Sequence, residues 1–167
     1  MKKLLFILLM PLLLFSQGEN DNWYFGGHAA VNFTGSNPTT LFNSAMNQHE
    51  AVGSISDKNG NLLFYTNGET IWGRNHQPIV NGTGLLGHES SAQLAISKHP
   101  GNSNLYYVFT TGVNYESGPL IGNPLSYSIV DMSLGNLDAQ GNPLGEVLAN
   151  QKNIPIYGSN IYFIGVS

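Results

Sequence analysis

The chain has 167 residues, with 6 basic against 10 acidic side chains, and only 10% of its residues are charged. A chain so poor in Lys and Arg has no cationic footprint for a phosphate backbone, which argues against nucleic acid or an anionic membrane as a partner. It has no cysteine, which excludes thiol catalysis, cysteine-bound zinc and disulfide stapling.

Met1-Lys2-Lys3 and the uncharged run Leu4–Phe15 read as a secretory signal peptide over residues 1–16, with the small Ser16 at the cut. The run is shorter than the ~20 apolar residues of a membrane span. No later segment is apolar enough to span either, and no cysteine stands at the cut to take a lipid. Residues 17–167 are then the mature domain, with Lys58, Arg74, Lys98 and Lys152 as its basic residues.

The mature chain shows strand patterns throughout and no helical period. Trp23-Tyr24-Phe25 and Val31-Asn32-Phe33 flank a turn at Gly26-Gly27. Ala51–Ser56 and Leu62–Thr66 flank Asp57-Lys58-Asn59-Gly60-Asn61, and Thr70–Trp72 and a strand near Pro78–Val80 follow. A second set starts at Gln93–Ser97 and continues through Leu105–Thr111, Leu125–Met132 and a strand near Asn153–Tyr157. Short β-branched and aromatic runs separated by Asn-Gly and Gly-Asn turns predict an all-β chain.

The two sets repeat. Ile55 through Tyr65 and Ile96 through Val108 each give a strand, a Gly-Asn turn and a second strand; Ile55 and Ile96 stand 41 positions apart. That is close to the roughly 40–45-residue period of a four-stranded propeller blade. The expected fold is therefore an incomplete β-propeller-like repeat of about two four-stranded blades, with Trp23–Phe33 as a stray strand pair. A complete small β-sandwich is the alternative. Propeller closure takes at least four blades, so the chain reads as the N-terminal fragment of a larger protein. Ile55, Leu63, Tyr65, Trp72, Ile96, Tyr107 and Phe109 alternate along strands, so one face of each sheet is apolar, and with two blades at least one outer face is expected to lack a partner.

Few residue patterns point to chemistry. Gly82-Thr83-Gly84-Leu85-Leu86-Gly87 matches G-x-G-x-x-G, but that motif needs a following helix and an acid about 20 residues on. Here His88-Glu89-Ser90-Ser91 leads into a strand, so a loop between blades is the better reading. Asp57-Lys58-Asn59-Gly60-Asn61 lacks the glycine and acid positions of a calcium loop. Asp138-Ala139-Gln140-Gly141-Asn142 shares its spacing, which predicts one turn type used twice, with the Asp side chain bonding backbone amides. His28, His49, His76, His88 and His99 form no metal-binding pair, and no G-x-S-x-G elbow occurs. No catalytic residue, cofactor or metal is assigned. Trp23, Tyr24, Trp72, Tyr106, Tyr107, Tyr115 and Tyr127 could stack on sugars, although strand aromatics more often pack the core. Tyr115, on the predicted loop 112–124, is the candidate ligand contact.

A set of segments carries a resemblance. They are Trp23-Tyr24-Phe25-Gly26, Gly60-Asn61-Leu62-Leu63-Phe64-Tyr65-Thr66-Asn67-Gly68, Ile71-Trp72, Asn81-Gly82-Thr83-Gly84, Tyr106-Tyr107-Val108-Phe109-Thr110 and Lys152-Asn153-Ile154-Pro155. In this order they resemble the N-terminal region of large gliding-motility-associated surface proteins, which end in a type B sorting domain for type IX secretion. The resemblance implies a propeller-like domain without catalytic residues. It also implies a secreted or cell-surface product, or a periplasmic one if the sorting domain is absent. The expected function is that of a non-enzymatic, adhesin-type binding protein, whose partner is a polysaccharide or another surface protein. A fragment of a propeller-type glycoside hydrolase, or of another secreted carbohydrate-active enzyme, is the alternative.

Overall fold

The structure is a computed structural model, and it describes residues 18–48, 50–88, 94–112 and 125–156. The signal peptide, His49, Tyr115 and most of the predicted loop 112–124 lie outside those residues, as does Tyr157. The protein is all-β, and the described residues add two single 3-10 turns, Gly18–Asn20 and Ala149–Gln151.

Three strands open the chain: β1 (Asn22–Tyr24), β2 (Ala30–Asn32) and β3 (Thr39–Leu41). They pair antiparallel in the order β1-β2-β3, so the predicted stray pair is a three-stranded sheet. Next comes a four-stranded antiparallel meander of β4 (Gly53–Ser56), β5 (Leu62–Thr66), β6 (Thr70–Gly73) and β7 (Pro78–Thr83). These are the four strands expected of the first blade.

The second meander is β8 (Leu94–Lys98), β9 (Leu105–Thr110) and β10 (Ser126–Asp131). Its fourth strand is split. β11 (Glu146–Val147) pairs with one end of β10, and β12 (Ile154–Pro155) pairs with the other. The predicted strand near 153–157 is β12, and β11 overlaps the short apolar strand signal at Val147-Leu148.

β11 also pairs parallel with β7 at Glu146 and Val80. That joint makes the meanders one mixed sheet, ordered β4-β5-β6-β7-β11-β10-β9-β8. The sheet curls until its two edges meet, with Gly53 on β4 against the side chains of Leu94 and Ile96 on β8. Two four-stranded units in a barrel-like sheet are compatible with a propeller-like chain.

Strand alternation decides where each side chain goes. Inside the curled sheet, Phe64, Ile71 and Ile79 of the first meander, with Leu85 from the loop after it, meet Tyr106, Val108, Val130 and Val147 of the second. The residue after Phe64 points the other way. Tyr65 joins Tyr24, Ala30 and Met46 in a second core, beneath the three-stranded sheet. Phe64 and Tyr65 both have 0% exposure, so the first meander is a buried layer with apolar contacts on both faces. Each such side chain contributes about 1.5–3 kcal/mol.

The second meander differs. Tyr106 and Val108 face the core, while Tyr107 and Phe109 are only half-buried on the outer face. There Tyr107 stacks on His99 at 5.4 Å and on Phe109 at 5.7 Å, and meets the edge of Tyr127 at 5.6 Å.

Both Asp turns form as expected. Asp57 Oδ1 accepts the backbone N–H groups of Asn59 (2.8 Å) and Asn61 (2.9 Å). Asp138 Oδ1 accepts those of Gln140 (3.0 Å) and Asn142 (2.8 Å). Gly60 has φ +82° and Gly141 has φ +81°, a region that favours glycine.

Candidate functional site

Among the described residues, an exposed aromatic group lies on the N-terminal sheet. β1 alternates buried, exposed, buried, which sends Asn22 and Tyr24 inward and Trp23 outward. Trp23 is 50% exposed and Phe33 38%. Their ring centroids are 5.1 Å apart, and Phe25 meets Trp23 edge-on at 6.4 Å. The indole N–H of Trp23 donates to the carbonyl of Asn20 at 2.9 Å, which fixes the ring's orientation.

Two shallow grooves border these rings. One, of about 200 Å³, runs between β1 and β4 past Asn20, Trp23, Phe25 and Ser54. The other, of about 330 Å³, is lined by Phe25, Gly26, Gly27, Gln48, Glu50 and Val52. Phe25 and Val52 belong to both, so the grooves adjoin. Their shape depends on Gly26, where a Cβ would stand 1.5 Å from the carbonyl oxygen of Gln48. The Ser54 side chain closes the open edge of β1: its hydroxyl donates to the carbonyl of Asn22 at 2.7 Å and accepts the N–H of Tyr24 at 3.3 Å.

The inward aromatics form a buried column. Tyr24 stacks on Tyr65 at 4.4 Å, and Tyr65 on Trp72 at 5.6 Å. The Tyr65 hydroxyl accepts the N–H of Ala45 at 2.9 Å and lies 3.2 Å from Nδ1 of His76. Nε2 of His76 lies 2.9 Å from the Asn43 amide, which accepts from the Tyr24 hydroxyl at 3.3 Å. Burial raises the pKa values of both tyrosines and lowers that of His76. The network pins residues 43–45 onto the first meander, so Tyr24, Tyr65 and Trp72 serve packing rather than ligand contact. Tyr106, 3% exposed and edge-on to Phe64, is core as well.

A second concave place lies between the two Asp turns. It is a cleft of about 500 Å³, walled by Asp57 and Asn61 on one side and Asn142 and Pro143 on the other, with Arg74 also lining it. Arg74 pairs with Asp138 at 2.7 Å. The backbone N–H of Asn142 and the Arg74 guanidinium hold the Asp138 carboxyl at about 2. Partial burial alone would raise Asp57, but bonds from the Asn61 side chain and the Asn61 and Asn59 backbones outweigh it and lower its pKa.

The glycine-rich segment opens no helix among the described residues. Gly82 and Thr83 are the last two residues of β7, and the end of the strand and the loop after it are tied down by three bonds. The Lys152 ammonium donates to the carbonyl of Thr83, Asn153 Nδ2 to that of Gly84 at 3.0 Å, and the Leu86 N–H to Asn153 Oδ1 at 3.1 Å. Among the described residues no three His, Asp or Glu side chains gather as a metal site, and no helix is long and apolar enough to cross a membrane. No family model, curated protein or solved structure matches the chain.

Proposed function

We propose that this chain is the N-terminal part of a secreted or cell-surface binding protein of adhesin type, propeller-like and non-enzymatic, of the kind that gliding bacteria export by type IX secretion. Its partner is a polysaccharide or another surface protein. The observation that carries this reading is the Trp23–Phe25–Phe33 cluster: exposed or half-buried rings beside two adjoining shallow grooves of mixed apolar and polar lining. Exposed aromatics with one ring pinned in place are the usual anchors of recognition surfaces. The signal-peptide pattern over residues 1–16 and the scarcity of charge fit an exported protein that meets uncharged ligands. A glycosidase needs two carboxyl groups flanking one bond; among the described residues Asp57 is the one carboxylate lining the 500 Å³ cleft, and it is tied into its turn.

The test is retention of the labelled full chain on insoluble neutral polysaccharides and on intact bacterial surfaces. Trp23→Ala and Phe33→Ala are expected to cut retention at least tenfold with unchanged melting curves. Retention that neither variant reduces would refute the reading.

A further inference from the structure

We infer that the cleft between the two Asp turns binds vicinal hydroxyl groups of a neutral saccharide. It shares no lining residue with the Trp23 grooves, so the inference goes beyond the aromatic surface and stands without it. Its volume of about 500 Å³ lies within the usual range for small-molecule sites.

The argument rests on which polar atoms are already used. Arg74 Nε and Nη2 donate to Asp138 Oδ2 at 3.0 and 2.7 Å, and Nη2 also reaches the carbonyls of Asn142 (3.1 Å) and Pro143 (2.8 Å). Those bonds fix the guanidinium plane and leave Nη1 with no partner among the described residues. Asp57 Oδ1 is saturated by two backbone amides, whereas Oδ2 accepts only the Asn61 side chain, at 2.9 Å. A carboxylate oxygen has room for two donors. The two residues thus bring to one cleft an unused donor and an unused acceptor, each on a side chain already held in place.

The charge pattern selects among ligands. Asp138 pairs with Arg74 and Lys58 stands beside Asp57, so the cleft has no surplus positive charge to draw an anion. A hydroxyl both donates and accepts, and adjacent hydroxyls answer Asp57 and Arg74 together. Leu63 and Met132, which also line the cleft, offer apolar surface to the C–H face of a sugar ring. Because these side chains are ordered before binding, little conformational freedom remains to be lost.

The experiment is saturation-transfer NMR on the full chain, with neutral disaccharides of glucose, mannose and galactose as probes. A sulfated disaccharide and an uncharged hexapeptide are the counter-probes. We expect transfer to at least one neutral disaccharide at millimolar concentration. Binding should weaken at least tenfold in Arg74→Lys, which keeps the charge but lacks Nη1. Met132→Trp, which fills the cleft and leaves every polar bond above intact, should do the same. Melting curves report whether each variant folds, and Met132→Trp decides if Arg74→Lys does not. Four results would each overturn the inference: no transfer to any neutral disaccharide, affinity unchanged in the folded variants, preference for the sulfated sugar or the peptide, or loss confined to Trp23→Ala.

Discussion

Gly60 and Gly141 occupy the same position in two copies of one turn, and replacing each with alanine separates two costs that usually arrive together. Their φ values are +82° and +81°, so the left-handed backbone costs either alanine the same, roughly 1–2 kcal/mol. The loss of unfolded-chain entropy returns about 0.4–1 kcal/mol in both. What differs is space. A Cβ at Gly141 meets nothing within 4 Å, whereas one at Gly60 stands 2.6 Å from Asp21 Oδ2 and 2.8 Å from Thr34 Cγ2. Gly60 also anchors the N-terminal sheet, because its carbonyl accepts the Asn22 side-chain amide at 2.7 Å. Forced repacking costs roughly 1–3 kcal/mol, and the low half of that range applies because both obstructing atoms are side-chain tips. Gly141→Ala should therefore destabilise by about 1 kcal/mol and Gly60→Ala by about 2–3 kcal/mol. Urea unfolding at equal m-values measures both. Equal losses would refute the docking argument, and losses near zero in both would refute the turn assignment.

The Asn142 backbone N–H and the Arg74 guanidinium hold the Asp138 carboxyl at about 2, below its ordinary 3.8. A depressed carboxylate stabilises above its unfolded value, and that stability is lost as pH falls toward 2; urea midpoints should drop across this window, less steeply in Asp138→Asn. His76 is lowered from 6.5 by burial, so the neutral ring stabilises above pH 6.5 and the benefit fades below it. Melting temperatures recorded between pH 7.5 and 5 should fall less in His76→Gln than in the parent. With Asp57 Oδ1 and Asp138 Oδ1 already bonded to backbone amides, calcium should leave the melting temperature unchanged, and a rise of several degrees would contradict the turn-only role.

The repeat at Ile55 and Ile96 was enough to place both meanders, because strand alternation and Gly-Asn turns are local signals. Asp57 and Asp138 were readable for the same reason: each turn is made by its own five residues. β3 was missed because Thr39-Thr40-Leu41 is exposed and has no apolar alternation of its own. The cleft was invisible in sequence, since Arg74 finds Asp138 64 residues away and nothing near either residue marks the pair. Trp23 was recognised as a strand aromatic, but its outward direction follows from Asn22 and Tyr24 turning inward to meet Ser56 and Tyr65. Of the residues expected on the apolar blade faces, Tyr107 and Phe109 are half-buried, whereas Tyr65 is fully buried beneath the N-terminal sheet.

The parallel joint between β7 and β11 also bears on the order of assembly. Each meander links strands that follow one another along the chain, whereas the joint brings Asn81 to the carbonyl of Val147, 66 residues away. Closing so long a loop carries an entropic cost that no seam contact offsets until the loop is nearly shut. The meanders therefore form early as separate sheets, and the joint zips last. Until it does, Phe64 and Ile71 on one sheet and Val108 and Val130 on the other stand bare to solvent. The newly made chain thus passes through a sticky, half-built stage in which another copy's meander can substitute for its own.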